Sequence, residues 1–253
     1  LVYEKSCAYT SGPFGTAAVP SISRQNDFSQ VFEGIMHLAI FDLDNTLIEG
    51  DSDHAWGQYL VEIRAVDRTE YAQRNQEFYE EYQQGTLDIQ AFLKFSLAPL
   101  TRYPQEQLFA WRAQFVNDII MPMIKGPAME LVEQHRQNGD ELMIITATNA
   151  FVTEPIAELF GIKHLLATQP AVENNRYTGG YIGIPTFQEG KQIVLDQWLT
   201  EQNRTPTTTW FYSDSRNDIP LLTTVNRPVA VDPDPVLRDH AESQGWPIIT
   251  LRS

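Results

Sequence analysis

Asp42 and Asp44, one residue apart, follow directly on an apolar run, His37-Leu38-Ala39-Ile40-Phe41. The stretch FDLDNTLIEGD (41–51) holds four acids in eleven positions. A strand tip is a costly place to gather like charge: two carboxylates at roughly 4 Å repel by about 4 kcal/mol at an effective dielectric near 20. A second acidic pair, Asp214 and Asp218 in YSDSRND, follows the apolar run Phe211-Tyr212. Thr146 ends a third run, Ile144-Ile145, and Lys191 stands between these two in EGKQ. Brought to one rim, such acids need positive charge, from Lys191 and from a divalent cation. Hard oxygen donors select Mg²⁺ over softer metals. A carboxylate beside Mg²⁺ and a lysine is also a known type of nucleophile toward phosphorus, forming an aspartyl-phosphate.

The elements that would position these residues can be read from periodicity. From Pro127 onward, short apolar strands alternate with helical patterns, which implies an α/β fold with a parallel sheet. The strands are apolar throughout rather than alternating, as expected when both faces are covered. Ligand crevices in such sheets lie at the carboxyl ends of the strands, where the residues above stand. Residues 52–122 read differently. Trp56, Leu60 and Ile63 share a helical face, Asp88 suits a helix cap, Pro104 suits a first turn, and no strand pattern intervenes. RYTGGYIG (176–183) reads as a hairpin.

Length and charge narrow the partners. The chain has 253 residues and a net charge of −15, with 33 acids against 18 bases. A nucleic-acid partner or an anionic membrane surface needs a basic face, so both are disfavoured. No apolar stretch is long enough to span a bilayer. The single cysteine, Cys7, rules out an intrachain disulfide and fits a reducing, cytoplasmic setting. Residues 1–35 are rich in Ser, Gly and Pro without period, and read as a disordered extension before a start at Met36. Oligomeric state is left open.

FDLDNTL, Thr146 in IITATN, Lys191 in EGKQ and YSDSRND occur in the order of four motifs. The set resembles the haloacid dehalogenase (HAD) superfamily of phosphatases, and within it the phosphoserine-phosphatase-like subfamily that includes histidinol-phosphatases. The likeness runs from residue 37 to about 250. It implies a Rossmann-like core from residues 36–51 and 123–253, with 52–122 as an inserted, all-helical C1 cap. It also implies roles. Asp42 would attack phosphorus, and Asp44 would act as acid and then base. Thr146 would bind a phosphoryl oxygen, and Lys191 would hold nucleophile and phosphate. Mg²⁺ would take the Asp42 carboxylate, the Asp44 carbonyl and Asp214, with Asp218 supporting that shell. Negative neighbours would raise the Asp44 pKa, which suits an acid/base role. Thr146 stands where serine is also found, and Asn45 where many members have glycine.

Substrate choice rests on the loop into the cap, Glu49-Gly50-Asp51-Ser52-Asp53. In relatives acting on phosphoserine, an acid nine residues after the nucleophile contacts the substrate ammonium. Asp51 has that offset from Asp42, and otherwise serves as a helix cap. Asp51 with Asp53 is expected to select a small, amine-bearing metabolite phosphate, histidinol phosphate slightly ahead of phosphoserine. Trp56, one turn on, is expected to face an imidazole, and Asn149 completes the candidate substrate set. His54 is expected on the cap surface, and the cap aromatics in its core. The alternatives are a phosphomutase of the same fold and a non-catalytic phosphometabolite-binding module.

Overall fold

The computed structural model describes residues 36–252, so the extension expected over 1–35 lies outside the described residues. The chain enters through strand β1 (His37–Phe41) and a tight turn at Leu43–Leu47. It then runs through helices α1 (Ser52–Glu62), α2 (Glu70–Gln84) and α3 (Ile89–Leu97), and a 3-10 turn at Ala98–Thr101. Helix α4 (Gln105–Phe115) continues through a π turn, Val116–Ile120, into the short α5 (Met121–Met123). After α6 (Gly126–Gln137) come β2 (Glu141–Thr146), α7 (Ala150–Leu159) and β3 (His164–Ala167). Strands β4 (Gln169–Glu173) and β5 (Arg176–Ile182) form a separate hairpin. The chain closes with α8 (Glu189–Glu201), β6 (Thr208–Ser213), α9 (Ile219–Leu222), β7 (Arg227–Val231), α10 (Pro235–Gln244) and β8 (Ile248–Ile249).

The main sheet has six parallel strands in the order β3-β2-β1-β6-β7-β8. Winding reverses between β1 and β6, the switch point where α/β ligand crevices open. Alternate strand residues feed two cores, because successive side chains point to opposite faces. Phe41, Ile144, Tyr212 and Val231 pack with α6, α7 and the helical insertion. Leu38, Ile40, Met143 and Phe211 pack with Leu195 of α8, Leu221 of α9 and Leu237 of α10. That explains why the strands read as unbroken apolar runs.

The inserted helices form a cap over the carboxyl ends of the strands, and their ends carry ordinary signals. Asp51 caps α1, Asp88 accepts from the Gln90 and Ala91 N–H groups, and Gly85 closes α2 at φ +71°. The two chain crossings between sheet and cap are pinned together by an antiparallel bridge, Ile48 to Ile124, and by Glu49 N–H donating to the Met123 carbonyl at 2.8 Å. No helix among the described residues is long and apolar enough to cross a membrane.

The hairpin expectation is corrected. RYTGGYI is a single strand, β5, and its turn lies upstream at Asn174-Asn175, where φ is +48° and +59°. Two consecutive left-handed residues suit a right-twisted hairpin, and asparagine tolerates them well. The glycines do a different job. A Cβ on Gly179 would come within 3.0 Å of Thr101 Cγ2, so glycine lets the hairpin lie against the cap's 3-10 turn. Tyr181 of β5 also donates to Gln90 of α3 at 2.7 Å, bracing the cap from the core side.

Candidate active site

The turn after β1 builds the floor of the site. Asp42 N–H still donates to the Tyr212 carbonyl at 2.9 Å, so the Asp42 backbone is fixed by the sheet. Asn45 then adopts φ +55°, which reverses the chain, an angle that glycine and asparagine tolerate best. Its N–H donates to the Gly50 carbonyl at 2.8 Å, and the Asn45 carbonyl accepts from the Arg252 guanidinium at 2.5 Å. The result buries Asp42, Asp44 and Thr46 together.

Lys191, 1% exposed, donates to Asp42 Oδ1 at 2.7 Å and to Asp218 Oδ2 at 2.8 Å. Asp218 Oδ2 also accepts from the Ser213 hydroxyl at 2.6 Å. An ammonium has three donors, and the hydrogen bonds to Asp42 and Asp218 use two of them. The other Asp42 oxygen, Oδ2, has only a long contact of 3.4 Å from the Thr46 hydroxyl. That hydroxyl has one proton and a shorter acceptor, Asp214 Oδ1 at 3.1 Å, and it accepts from Asp214 N–H at 3.0 Å. Asp42 therefore offers one anchored oxygen and one open oxygen.

Asp44 is held on both sides. Its Oδ1 accepts from Ser52 N–H at 2.6 Å, and its Oδ2 accepts from the Thr148 hydroxyl at 2.7 Å. Thr146 Oγ1 accepts from Thr148 N–H at 3.2 Å and reaches Asp44 only at 3.4 Å, which leaves its proton nearly free. Burial lifts the Asp44 carboxyl to about 6, with Asp51 adding to the rise. The rise expected from negative neighbours is present through Asp51, but loss of solvent is the larger cause. Burial likewise takes Asp42 to about 7 against the pull of Lys191. Burial, then Asp42 and Asp218, push Asp214 well above the usual carboxylate range. Burial opposes the charge on Lys191, but Asp218 and Asp42 outweigh it and hold the ammonium above its ordinary value.

Four buried or half-buried carboxyls and one ammonium leave the floor short of positive charge. Among the described residues no three His, Cys, Asp or Glu side chains converge as a closed metal cage. Mg²⁺ does not require one: it keeps several waters and takes one or two carboxylates plus substrate phosphate. Asp42 and Asp214, whose oxygens meet at the Thr46 hydroxyl, supply that kind of donor pair. All the donors are hard oxygens, so the residues present fit the ion.

The cap supplies the opposite wall, around a cavity of about 40 Å³. Asp51 lines it while capping α1, its Oδ1 accepting from His54 N–H at 2.8 Å. Asp53 lines it too, and its Oδ2 is buried without a hydrogen-bond partner. His54, expected on the cap surface, instead lines the cavity, stacked on Tyr79 with ring centroids 4.5 Å apart. Asn75 donates to the His54 carbonyl at 2.9 Å and lies 3.2 Å from its Nδ1. Gly57 makes room for that amide: a Cβ there would fall 2.5 Å from Asn75 Oδ1. Phe78, Tyr79, Tyr82 and Phe92 also face the cavity, against the expectation that the cap aromatics are core.

Two candidate substrate residues are placed elsewhere. Trp56 is 2% exposed and packs on Tyr59, Phe115 and Phe151; its face of α1 turns into the core, so it does not line the cavity. Asn149 is buried at the start of α7 and does not line it either. Thr148, one residue before, holds Asp44 instead. Sequence reasoning missed Thr46, Thr148, His54 and Asn75. For the threonines a signal existed, since each lies within a motif string at an even offset from a named residue.

Core and cap also meet at the turn carrying Asp214 and Asp218. Asn217 Nδ2 donates to the Tyr82 carbonyl at 3.1 Å, and Arg216 donates to the Gln84 carbonyl at 3.2 Å, both at the end of α2. Gln188 orients Asn217 from behind at 3.1 Å.

The family model of haloacid dehalogenase-like hydrolases matches residues 39–223. Over 220 residues the chain is 48% identical to a histidinol-phosphatase of Neisseria meningitidis, covering 85% of this chain and 99% of that one. A crystal structure of a Bordetella pertussis protein of unknown function aligns with a TM-score of 0.81 at 41% identity, covering 85% of this chain and 99% of the other. A substrate-bound phosphoserine phosphatase aligns with a TM-score of 0.64, covering 87% and 95%. At 17% identity that last likeness is one of fold.

Proposed function

This chain belongs to the haloacid dehalogenase-like hydrolases and is a phosphatase of that family; from that premise we propose that it hydrolyses a small, amine-bearing phosphate monoester through an aspartyl-phosphate on Asp42, with Mg²⁺ as cofactor. The observation that carries the reading is the division of the Asp42 carboxylate, with Oδ1 anchored by Lys191 and Oδ2 without a firm donor. Oδ2 attacks phosphorus while the bond from phosphorus to the ester oxygen breaks. Asp44, whose carboxyl titrates at about 6, gives its proton to the leaving alkoxide. It then takes a proton from water, whose oxygen attacks phosphorus as the bond to Asp42 breaks. Inorganic phosphate leaves and Asp42 is restored. Thr146 Oγ–H and the third N–H of Lys191 stabilise the phosphoryl oxygens, since positioning and charge neutralisation carry most of phosphoryl transfer. Asp42, Asp214 and the Asp44 carbonyl, with Asp218 behind, would hold Mg²⁺, which when bound would supply positive charge to return the buried carboxyls toward their ionised forms and to draw negative charge off the phosphoryl group.

Residues 52–122 act as a moving cap domain on a core of 36–51 and 123–253. Asp42 is 2% exposed, so substrate enters when the helices part, and closure then excludes water from the chemistry. Asp51 and Asp53 on the cap favour a cationic amine. Histidinol phosphate is preferred over phosphoserine, because the relative with 48% identity is a histidinol-phosphatase. The test is a phosphate-release screen over phosphorylated metabolites with and without Mg²⁺. Mg²⁺-dependent release from an amine-bearing ester, absent in Asp42→Asn, supports the reading. Release that persists in Asp42→Asn, or phosphate moved within the substrate and not released, overturns it.

A further inference from the structure

Asp42 and Asp44 are fixed by different means. Asp42 is still tied to the sheet, its N–H donating to the Tyr212 carbonyl at 2.9 Å. Asp44 lies past β1, in the turn Leu43–Leu47, whose middle residue Asn45 holds φ +55°. A left-handed residue other than glycine persists where its surroundings hold it there. Arg252, in the segment after β8, reaches this turn from another part of the fold. Its Nη2 donates to the Asn45 carbonyl at 2.5 Å and its Nη1 to the Ile48 carbonyl at 3.3 Å. The Arg252 side chain is 26% exposed, and its Nε faces Asp232 Oδ2 at 3.7 Å. Asp232 also fastens the segment that carries the arginine: its N–H donates to the Ile249 carbonyl at 2.9 Å, and its Oδ2 accepts from Leu251 N–H at 2.9 Å. The second carbonyl gripped, that of Ile48, belongs to the first crossing into the cap, which pairs with Ile124 of the return crossing.

Resting on the phosphatase reading above, we propose that Arg252 is a positioning residue for the reaction: its guanidinium clamps the turn that carries Asp44 to the crossing into the cap. A planar fork suits the task. Its N–H groups point in fixed directions, so the carbonyls of Asn45 and Ile48 are held at a set spacing, which the single head of a lysine does not impose. The clamp acts on the acid/base group more than on the nucleophile, because the sheet holds Asp42 whether or not the turn shifts. Asp44 Oδ1 accepts from Ser52 N–H at 2.6 Å, just past that crossing, so a displaced turn or crossing moves Asp44 against the leaving oxygen. A misplacement of about 1 Å can cost about 10²-fold in rate. Arg252 does not line the cavity, so it acts through the backbone it holds.

The test uses the full chain with Mg²⁺ and two esters. The alkoxide of histidinol phosphate must be protonated as it leaves, whereas the phenolate of p-nitrophenyl phosphate leaves without a proton. Arg252→Met keeps the apolar stem and removes the fork. It is expected to lower kcat/KM for histidinol phosphate by about 10–100-fold and for the aryl ester by less than about threefold. A residue that only stabilised the fold would lower both alike. Arg252→Lys restores the charge but not the fork, and is expected to stay impaired on histidinol phosphate by at least about tenfold. It carries the comparison if Arg252→Met does not fold. Hydrogen exchange read by mass spectrometry is expected to quicken at residues 43–49 and 123–125 in both variants and to hold steady in β2. Equal loss on the two esters, full activity in Arg252→Lys, or unchanged exchange at 43–49 overturns the proposal. If the unmodified chain releases phosphate from neither ester while exchange at 43–49 quickens in the variants, the phosphatase reading falls and the clamp stands. If the unmodified chain hydrolyses both esters and the variants match it, the clamp alone falls.

Discussion

The floor of the cavity and its cap wall both carry buried acids, but they treat them differently. On the floor, Asp42 and Asp218 share Lys191, Asp214 shares Thr46, and Asp44 has a firm donor on each oxygen. On the wall, Asp51 has a helix N-terminus and Asp53 leaves an oxygen unpaired. A constellation paired at most of its oxygens, with Asp42 Oδ2 alone among the two reacting acids left open, is held in place and suits chemistry repeated on every turnover. An unpaired group is a demand for a ligand, and its identity decides which ligand is accepted. In the proposed reading the floor performs the reaction and the wall chooses what undergoes it.

The sharpest break comes on the floor. Asp42→Asn is expected to lower kcat by at least about 10⁴-fold, the scale of losing a nucleophile, while circular dichroism shows a retained fold. A folded variant with near-normal phosphate release would mean that the open oxygen is not the reacting one. Asp44→Asn should cost about 10²–10⁴-fold, the range for a general acid or base, with phosphate accumulating on Asp42 in mass spectra; phosphate found on Asp44 in the unmodified chain would reverse the two roles.

Lys191→Met tests whether pairing holds the floor together. It leaves Asp42 and Asp218 buried without their cation, and unfolding in urea should show a loss of about 3–5 kcal/mol at pH 7. An unchanged midpoint would mean that water or another cation already compensates the acids. The wall should respond in the opposite direction and less. Burial and then Asp51 and Asp44 hold the Asp53 carboxyl well above its ordinary value. Between the unfolded value near 3.9 and that raised one, the native state binds more protons, so Asp53 makes stability fall as pH rises. Asp53→Asn removes that loss. At pH 7 it should raise Tm by roughly 2–4 °C, the shift of about 1 kcal/mol in a domain of this size, and the gain should vanish below about pH 4. A lowered Tm at pH 7 would show that the acid serves the first turn of α1 more than burial harms it.

The same contrast governs what could be read from sequence. The floor is written in short strings at strand ends, because a parallel sheet delivers its functional residues there. Asp42, Asp44, Thr146, Lys191, Asp214 and Asp218 all stand in such strings, and the structure brings them together. The wall comes from three helices, and its residues keep the spacing of an ordinary amphipathic face. Nothing local distinguishes Tyr79, which lines the cavity, from Trp56, which fills the core; only the rotation of α1 and α2 about their axes decides. The hairpin turn is hidden for a related reason. Glycines at 179 and 180 carry the stronger turn signal, while Asn174-Asn175 make the reversal and Gly179 serves packing against Thr101.

Arg216 and Asn217, which grip the end of α2, sit in the same short turn as Asp214 and Asp218. In the proposed cap motion, opening would break those two hydrogen bonds and closing would restore them. Any ligand held more tightly by that turn when the cap is shut must favour the shut state by the same free energy. Entry and commitment therefore belong to one balance. A grip made stronger at 216 and 217 would hold a bound ester more securely and would release its product more slowly, which would place part of the product's residence time in two main-chain carbonyls at the end of a helix.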